Sequence, residues 1–307
     1  MKEIVIISGK GGTGKTSITA SFAALAEKTA VIADCDVDAA DLHLVSAPEV
    51  RRREPFFSGR TATVRAESCT ACGTCEGLCR YGAIGHRDNG SRYVDPVACE
   101  GCGVCVRFCP EQAVDFPENR CGDWFVSATR FGTMVHAKLG IAAENSGRLV
   151  TLVRTEAKRL AEKEQAAYVL IDGSPGIGCP VIASLTAAHL AFIVIEPTVS
   201  GMHDLRRVAM LARQLGIPAM VCVNKWDINP EVTASIRRFS ESEGLHFAGT
   251  VRYDHAVTAA QRSGRAVVEY TEGPVARDII AAWRQAVLFL MEQYDNTEER
   301  GNERSSV

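Results

Sequence analysis

Eight cysteines in two short runs carry the most distinctive chemistry of this 307-residue chain. Both runs have the spacing C-x2-C-x2-C-x3-C, and Pro110 follows the second run. Disulfides would not be concentrated in this way, whereas the spacing is typical of thiolates that hold iron–sulfur clusters. In such paired runs the last cysteine of each run binds the other cluster. We therefore expect two [4Fe–4S] clusters, one on Cys69, Cys72, Cys75 and Cys109 and the other on Cys99, Cys102, Cys105 and Cys79.

Zinc is the alternative occupant of these cysteines. Structural zinc sites usually pair two C-x2-C arms over a longer gap, so the spacing favours clusters. One departure from bacterial ferredoxins is Arg80, which follows Cys79 where a proline is usual. Its charge near a cluster sulfur would raise the reduction potential of that cluster.

A glycine-rich loop near the N-terminus is the second candidate site. Residues 9–16 read GKGGTGKT and fit the pattern G-x-x-x-x-G-K-[ST]. In such a loop the backbone N–H groups surround phosphates, the lysine pairs with the β- and γ-phosphates, and the hydroxyl binds Mg²⁺. The predicted nucleotide ligands here are Gly9, Gly11, Gly12, Thr13, Gly14, Lys15, Thr16 and Ser17.

The same loop also fits a dinucleotide-binding pattern. Its glycines match G-x-G-x-x-G, and Asp34 follows at about the distance expected of a ribose-binding acid. Two features favour a nucleoside triphosphate instead. The pair Lys15-Thr16 has no role under a pyrophosphate, and Asp172 ends an apolar strand where a carboxylate that supports Mg²⁺ belongs. Gly176, four residues later, can offer its N–H to the γ-phosphate.

The loop resembles the deviant P-loop of the MinD/Mrp/ParA ATPases, a group that includes the nitrogenase iron protein. The resemblance rests on KGGTGKT, with its early lysine Lys10. It implies that two subunits enclose two ATP molecules and that Lys10 reaches the partner's nucleotide. It also implies that Asp36 orients the attacking water. The expected catalytic residues are then Lys10, Lys15 and Asp36, and the expected Mg²⁺ ligands are Thr16, Asp36 and Asp172.

Base recognition has two interpretations. Asn224 and Lys225 follow an apolar strand, and the resemblance implies that Asn224 contacts adenine. The same segment, Asn224-Lys225-Trp226-Asp227, also spells the guanine-binding motif N-K-x-D. The deviant P-loop favours ATP, but N-K-W-D alone does not decide between ATP and GTP.

The whole chain resembles a MinD-superfamily P-loop ATPase with an inserted ferredoxin domain, found in anaerobic prokaryotes. In the nitrogenase iron protein a bridging-cluster cysteine falls where this chain has Cys179, seven residues after Asp172. The stretch 140–147, where its partner cysteine would fall, has none, so a bridging cluster is not expected.

The apolar pattern predicts an α/β fold with a mostly parallel twisted sheet and helices on both faces. Residues 1–57 and 118–294 should form the ATPase domain and 58–117 a small α+β ferredoxin-like insert, with 295–307 a disordered polar tail. The predicted strands are Lys2–Ser8, Val31–Ala33, Leu149–Val153, Tyr168–Ile171, Leu190–Ile195, Ala219–Val223 and Gly249–Val251. The predicted helices are Thr16–Lys28, Met202–Leu215, Pro230–Glu243 and Val275–Gln293.

Composition excludes some partners. A formal net charge of −3 gives no general attraction to nucleic acid or anionic lipid. No apolar run approaches the roughly 20 residues that span a bilayer. The N-terminus reads as a buried strand and not as a signal peptide, so we expect a cytoplasmic protein that forms a homodimer with ATP.

Three functions compete at this point. ATP binding could support electron transfer from the clusters during the assembly of iron–sulfur or other metal cofactors, with an unidentified redox or assembly protein as partner. It could gate electron flow to a partner enzyme, as in the nitrogenase iron protein. The chain could also be a positioning ATPase with structural clusters, although no basic surface or membrane-targeting tail is evident.

Overall fold

The computed structural model describes residues 1–140 and 146–304. These residues form two compact units. The first holds the described residues of Met1–Glu54, Asp123–Leu139 and Ser146–Val307, and the second those of Pro55–Gly122 and Gly140–Asn145. The division lies close to the boundaries predicted at 57/58 and 117/118. That the second unit is a ferredoxin-like domain stays a prediction.

Long strands lie before and after the segment that holds the two cysteine runs, and only short strands lie within that segment. The strands are β1 (Lys2–Ser8), β2 (Ala30–Asp34), β3 (Glu49–Arg60), β4 (Thr63–Val64), β5 (Ile84–His86), β6 (Arg92–Val94), β7 (Val114–Asp115), β8 (Glu118–Thr129), β9 (Gly132–Leu139), β10 (Tyr168–Pro175), β11 (Leu190–Ile195), β12 (Ala219–Asn224) and β13 (His246–Val251).

The helices lie mainly in the first unit. The α-helices are α1 (Lys15–Leu25), α2 (Leu42–Ser46), α3 (Thr74–Leu78), α4 (Val104–Arg107), α5 (Ser146–Glu164), α6 (Cys179–Leu185), α7 (Val199–Gln214), α8 (Pro230–Ser242), α9 (His255–Arg262), α10 (Val267–Tyr270) and α11 (Pro274–Arg304). Residues 295–304, expected to form a disordered tail, are thus part of α11. Residues 305–307 of that predicted tail lie outside the described residues.

The strand predicted at Leu149–Val153 is wrong, because this segment lies inside α5. Buried residues recur along the helix with helical and not alternating spacing. The five-residue apolar run was one part of this longer stripe, which comprises Leu149, Val150, Val153, Ala157, Leu160 and Ala161.

One sheet has the strand order β13-β12-β11-β1-β10-β2-β9-β8-β3, and its seven strands from β13 to β9 lie in the first unit. The pairs from β13 to β9 are parallel. Register places Ile6 of β1 beside Asp172 of β10, and Asp172 beside Asp34 of β2. Because the carboxyl ends of parallel strands share one edge, the loop after β1 meets both aspartates there.

Helix α1 is anchored under this edge by a buried aromatic cluster. Phe22 of α1 is fully buried and lies 5.1 Å from Phe192 of β11 and 5.0 Å from Trp283 of α11, between ring centroids. Burial of such a side chain stabilises the fold by about 2 kcal/mol. The cluster therefore fixes the helix whose N-terminus follows the glycine-rich loop.

The second unit repeats one pattern twice. Strand β4 pairs antiparallel with β7, and β5 pairs antiparallel with β6. Arg65 N donates to Ala113 O at 2.8 Å, and its counterpart Asp95 N donates to Ala83 O at 2.7 Å. The sequence repeat is therefore also a structural repeat. Its small core holds Ala62, Val64 and Val114, packed against Cys69, Val94, Cys99, Cys105, Val106, Cys109 and Phe116.

In the part of the chain that the structure describes, no helix is long and apolar enough to cross a membrane.

Candidate functional site

The glycine-rich loop connects β1 to α1 and depends on positive backbone angles. Gly12 has φ +79° and Gly14 has φ +89°. A Cβ atom on Gly14 would lie 2.3 Å from Asn224 Nδ2, so only glycine fits there. Asn224 Nδ2 donates to Thr13 O at 2.7 Å. Asn224, predicted to contact adenine, thus holds the loop in this structure.

Lys15 lies at the centre of a buried charge cluster. Its Nζ lies 2.8 Å from Asp172 Oδ1 and 3.3 Å from Asp36 Oδ2, with the Lys15 side chain 6 % exposed and that of Asp172 1 %. Thr16 Oγ1 donates to Asp172 Oδ2 at 2.7 Å. Burial alone would lower the pKa of Lys15, but the charges of Asp172 and Asp36 outweigh it and raise the pKa above its ordinary value.

The third acid of this cluster is Asp34, which is fully buried. Its Oδ2 has no hydrogen-bond partner among the described residues. Burial and the neighbouring Asp172 hold the pKa of Asp34 well above its ordinary value, and burial also raises the pKa of Asp36. Three carboxyl groups therefore face a single ammonium group. This is an arrangement that a divalent cation with oxygen ligands would stabilise.

A cavity of about 500 Å³ opens beside this cluster, which is within the size range of small-molecule sites. From the loop and α1 it is lined by Gly11, Gly12, Thr13, Gly14, Lys15, Thr16 and Ser17. Asp36 also lines it. The predicted residues Gly9, Lys10, Asp172, Gly176, Asn224 and Lys225 lie outside the lining.

Sequence reasoning missed the far wall of this cavity. Gln261 at the end of α9 and Arg265 after it both line the cavity, and Gln261 Nε2 donates to Ser17 Oγ at 2.9 Å. No motif marks these two residues. Their position follows only from the packing of α9 and α10 beside α1.

The Lys10 side chain forms an ion pair within its own chain. Its Nζ lies 3.1 Å from Glu196 Oε2, and Lys225 Nζ lies 2.5 Å from Glu196 Oε1. Lys225 Nζ also donates to Gly12 O at 3.3 Å. Burial would raise the pKa of Glu196, but these lysines hold it below its ordinary value. Glu196 thus links both predicted lysines to the loop, a role that no sequence motif revealed.

Two further predicted groups are occupied by the chain itself. Gly176 N donates to Ser8 O at 2.9 Å, so a bond from this N–H to a γ-phosphate would require the loop after β10 to move. Asp227, the last residue of N-K-W-D, accepts from Tyr253 N at 2.7 Å.

The eight clustered cysteines line two separate cavities of the second unit. Cavity A is lined by Cys69, Cys72, Cys75 and Cys109, and cavity B by Cys79, Cys99, Cys102 and Cys105. Each cavity thus receives three cysteines of one run and the last cysteine of the other. Within the described ranges no three His, Cys, Asp or Glu side chains converge closely enough to hold a metal ion.

The four remaining cysteines lie elsewhere. Cys35, Cys121 and Cys222 are buried, and Cys179 is exposed. Burial raises the pKa of the Cys222 thiol to about 12, and that of Cys35 also rises. A buried thiol of this kind is an apolar packing group.

A strand, glycine-rich loop and helix with Lys15 against Asp172 define a P-loop nucleotide-binding protein. The chain belongs to the family described as the CobQ/CobB/MinD/ParA nucleotide binding domain, which matches residues 4–267.

The chain is similar to two curated proteins and to one solved structure. An uncharacterized protein of Methanocaldococcus jannaschii is 31% identical over 229 residues, 74% of this chain and 79% of that protein. The carbon monoxide dehydrogenase accessory protein CooC of Rhodospirillum rubrum is 25% identical over 286 residues, 92% of this chain and 95% of that protein. The structure of the cell division ATPase MinD of Pyrococcus furiosus superposes with a TM-score of 0.56 at 16% identity, over 94% of this chain and 99% of that one. At that identity the likeness to MinD shows the fold alone.

Proposed function

We propose that this protein binds and hydrolyses ATP and couples ATP-dependent dimerisation to two [4Fe–4S] clusters in its second unit. In this role it supplies electrons for the assembly of iron–sulfur or other metal cofactors. The observation that carries the proposal is the joint presence of the Lys15 charge cluster and of two cavities, each with four cysteines.

The nucleotide site fits MgATP. Thr16 would hold the Mg²⁺ ion, with Asp36 and Asp172 beside it. Asp34 Oδ2 is buried and has no hydrogen-bond partner in the part of the chain that the structure describes, which fits a neighbouring cation. The ion would neutralise phosphate charge. Lys15 would move from Asp172 to the phosphates. Asp36 is close enough to the cavity, which it lines, to orient an attacking water.

The contact of Asp227 counts against the guanine interpretation of N-K-W-D. Asp227 Oδ1 accepts the Tyr253 N–H at 2.7 Å, and this contact competes with recognition of guanine by that oxygen. Asn224 is also bonded to Thr13 O, which counts equally against its predicted contact with adenine. Neither side chain lines the cavity beside the P-loop.

Dimerisation would use Lys10. Its side chain is 36 % exposed and lines no part of the cavity of its own chain. A lysine in this position has little to offer the nucleotide of its own subunit. It is available to a partner's phosphate once it leaves Glu196.

The grouping of four cysteines around each cavity supports the proposal of cubane clusters. In a [4Fe–4S] cluster each thiolate binds a different iron, so the four sulfurs lie around a cavity. Ala83 N donates to Cys79 Sγ at 3.4 Å, and Ala113 N donates to Cys109 Sγ at 3.3 Å. Such N–H bonds stabilise cluster thiolates. Bound clusters would accept and release single electrons.

Chain connectivity supports coupling between the sites. The cysteine runs lie between Asp36 and Asp172 in sequence. Strand β9, which follows the runs, pairs with β2 in the register Ile32–Met134 and Ala33–Val135. A shift of the acids after β2 on nucleotide binding would therefore reach β9, a strand that follows the cysteine runs in the chain.

The assembly role is supported by the relative CooC, which is named as an accessory protein of carbon monoxide dehydrogenase. Its match extends over nearly the whole of both chains. A direct electron donor to a partner enzyme is the competing function. Exposed Cys72 and Cys102, one in each cavity, would suit either role.

Anaerobic reconstitution with iron and sulfide tests the clusters. We expect about eight irons per chain, four per cluster. The double variant Cys75→Ser with Cys109→Ser should lose about four irons, since both cysteines line cavity A. The double variant Cys105→Ser with Cys109→Ser should lose nearly all of the iron, because it removes one cysteine from each cavity.

Cys179→Ser, an exposed cysteine of the first unit, is the control and should retain all iron. Equal iron loss in the two double variants, or binding of zinc in preference to iron, would reject the paired clusters. ATP hydrolysis is measured on the same preparations.

A further inference from the structure

The internal repeat of the second unit places two unlike residues at equivalent positions. Val64 lies five residues before Cys69, and Val94 lies five residues before Cys99. Two residues earlier the first half has Ala62 and the second half has Arg92. Both residues line a cysteine cavity, Arg92 cavity A and Ala62 cavity B. The two cavities therefore differ by one cationic side chain.

Arg92 is held in place by several contacts. Its side chain is only 12 % exposed, and Nε lies 3.1 Å from Glu76 Oε2. Its NH1 group donates to Gly90 O at 3.2 Å and lies 3.1 Å from His86 Nδ1. Nε is buried and makes no hydrogen bond among the described residues. The ion pair with Glu76 and the contacts of NH1 thus fix the guanidinium group at the cavity wall.

The anionic groups near the cavities are better solvated than Arg92. Glu111 lines cavity A and Glu100 lines cavity B, and both are exposed. The side chain of Glu76 is 40 % exposed. Water and salt screen exposed charges more strongly than buried ones. Among the described lining residues of both cavities, Arg92 is the only one with a permanent positive charge.

We propose that Arg92 raises the reduction potential of the cluster in cavity A above that of the cluster in cavity B. The inference rests on the proposed function and goes beyond it by assigning unequal roles to the two clusters. Reduction adds one negative charge to a cluster, and a fixed positive charge nearby favours that state. An electron that enters the second unit would then reside in cavity A.

The expectation for Arg80 concerns the other cluster. Arg80 follows Cys79 in sequence, but its side chain is exposed and lines neither cavity. Exposure makes Arg80 a weaker candidate than Arg92, and its effect on the cluster in cavity B stays a prediction.

The test is an anaerobic redox titration of the reconstituted full chain, followed by EPR. Arg92→Ala gives cavity A the residue that cavity B has at the equivalent position. At a fixed potential near the wild-type midpoint, we expect Arg92→Ala to lower the ratio of reduced to oxidised cluster in cavity A at least tenfold. This corresponds to 59 mV for one electron. Cys72→Ser and Cys102→Ser identify which signal belongs to which cavity.

Two variants separate charge from structure. Arg92→Lys keeps the positive charge and should restore most of the ratio. Arg80→Ala removes an exposed charge and should change either ratio less than threefold. A tenfold loss confined to cavity A and rescued by lysine supports the assignment.

Unchanged potentials in Arg92→Ala, a larger change in cavity B, or an equal loss in Arg92→Lys would overturn the assignment while leaving the clusters established. Absence of both cluster signals from the wild-type chain would instead overturn the cluster proposal, and the assignment with it.

Discussion

Lys15 Nζ lies 2.8 Å from Asp172 Oδ1, in a contact that almost no solvent reaches. The same ammonium lies 3.3 Å from Asp36 Oδ2. The lysine that we propose to bind phosphate is therefore held against the acids that we propose to support Mg²⁺. In the proposed function, nucleotide binding would exchange this pairing for contacts to phosphates and a metal ion, so the segments that carry Asp36 and Asp172 would move together.

Replacing Lys15 should damage the fold as well as the site. Lys15→Met leaves Asp172 and Asp36 without their cation, so we expect the free energy of unfolding to fall by about 3 kcal/mol and MgATP binding to be lost. Urea unfolding at neutral pH measures the first effect. Lys10→Met, with the same charge change at a more exposed site, should cost less than about 1 kcal/mol. Equal losses in the two variants would contradict the central position of Lys15.

Lys10 should matter for association and not for binding. Because it lies outside the cavity lining, Lys10→Ala should change the affinity of a monomer for MgATP less than about threefold, under 1 kcal/mol. The ATP-dependent dimer should disappear. Sedimentation velocity with a slowly hydrolysed ATP analogue measures the dimer. A Lys10→Ala protein that still dimerises with the analogue would remove the intersubunit role of this lysine.

Asp227 should support a loop and not a base. Its carboxylate accepts the Tyr253 N–H, so Asp227→Ala should lower the free energy of unfolding by about 1 kcal/mol. The affinity for ATP should change less than about twofold, under 0.5 kcal/mol. Competition titrations with ATP and GTP check this. Tighter binding of GTP than of ATP, abolished by Asp227→Ala, would restore the guanine interpretation.

His136 should make the first unit sensitive to acid. Burial, with a smaller effect of His43, lowers its pKa to about 4, while its ring stacks on Phe125 and its Nε2 lies 2.9 Å from Ser127 Oγ. The unfolded chain takes up a proton near pH 6.5, but the folded chain does so only near the lower value. The free energy of unfolding should therefore decrease as the pH falls between these values, by about 1–2 kcal/mol after allowance for partial exposure.

The variant His136→Gln isolates this effect. Subtracting its unfolding free energies from those of the wild type should leave a difference that changes between about pH 6.5 and 4. His203→Gln, at an exposed histidine, should keep the wild-type acid dependence. If the unfolding free energy of His136→Gln follows that of the wild type at every pH, His136 is not the source of the acid sensitivity.

Much of the fold followed from local patterns. The buried strands of the parallel sheet are read from short apolar runs, and the β11 prediction matches the structure residue for residue. The strand prediction for Leu149–Val153 failed because five apolar residues do not distinguish a buried strand from one face of a helix. Only the longer periodicity of α5 makes that distinction.

The candidate site was predictable where a motif carries its own geometry. The P-loop residues from Gly11 to Ser17 line one cavity, as such a loop should. Glu196, Gln261 and Arg92 were not predictable, because each acts through side chains distant in sequence or in the other half of a repeat. Their roles depend on packing that no local pattern encodes.

The central claim is that nucleotide state reaches the clusters. The most direct test is an anaerobic EPR redox titration of the reconstituted protein with and without MgATP, repeated with Lys15→Met. We predict that MgATP shifts the potential of at least one cluster by about 60 mV, a tenfold effect for one electron, and that the variant shows no shift. Identical potentials with and without MgATP, in a protein shown to bind both ATP and its clusters, would contradict the coupling.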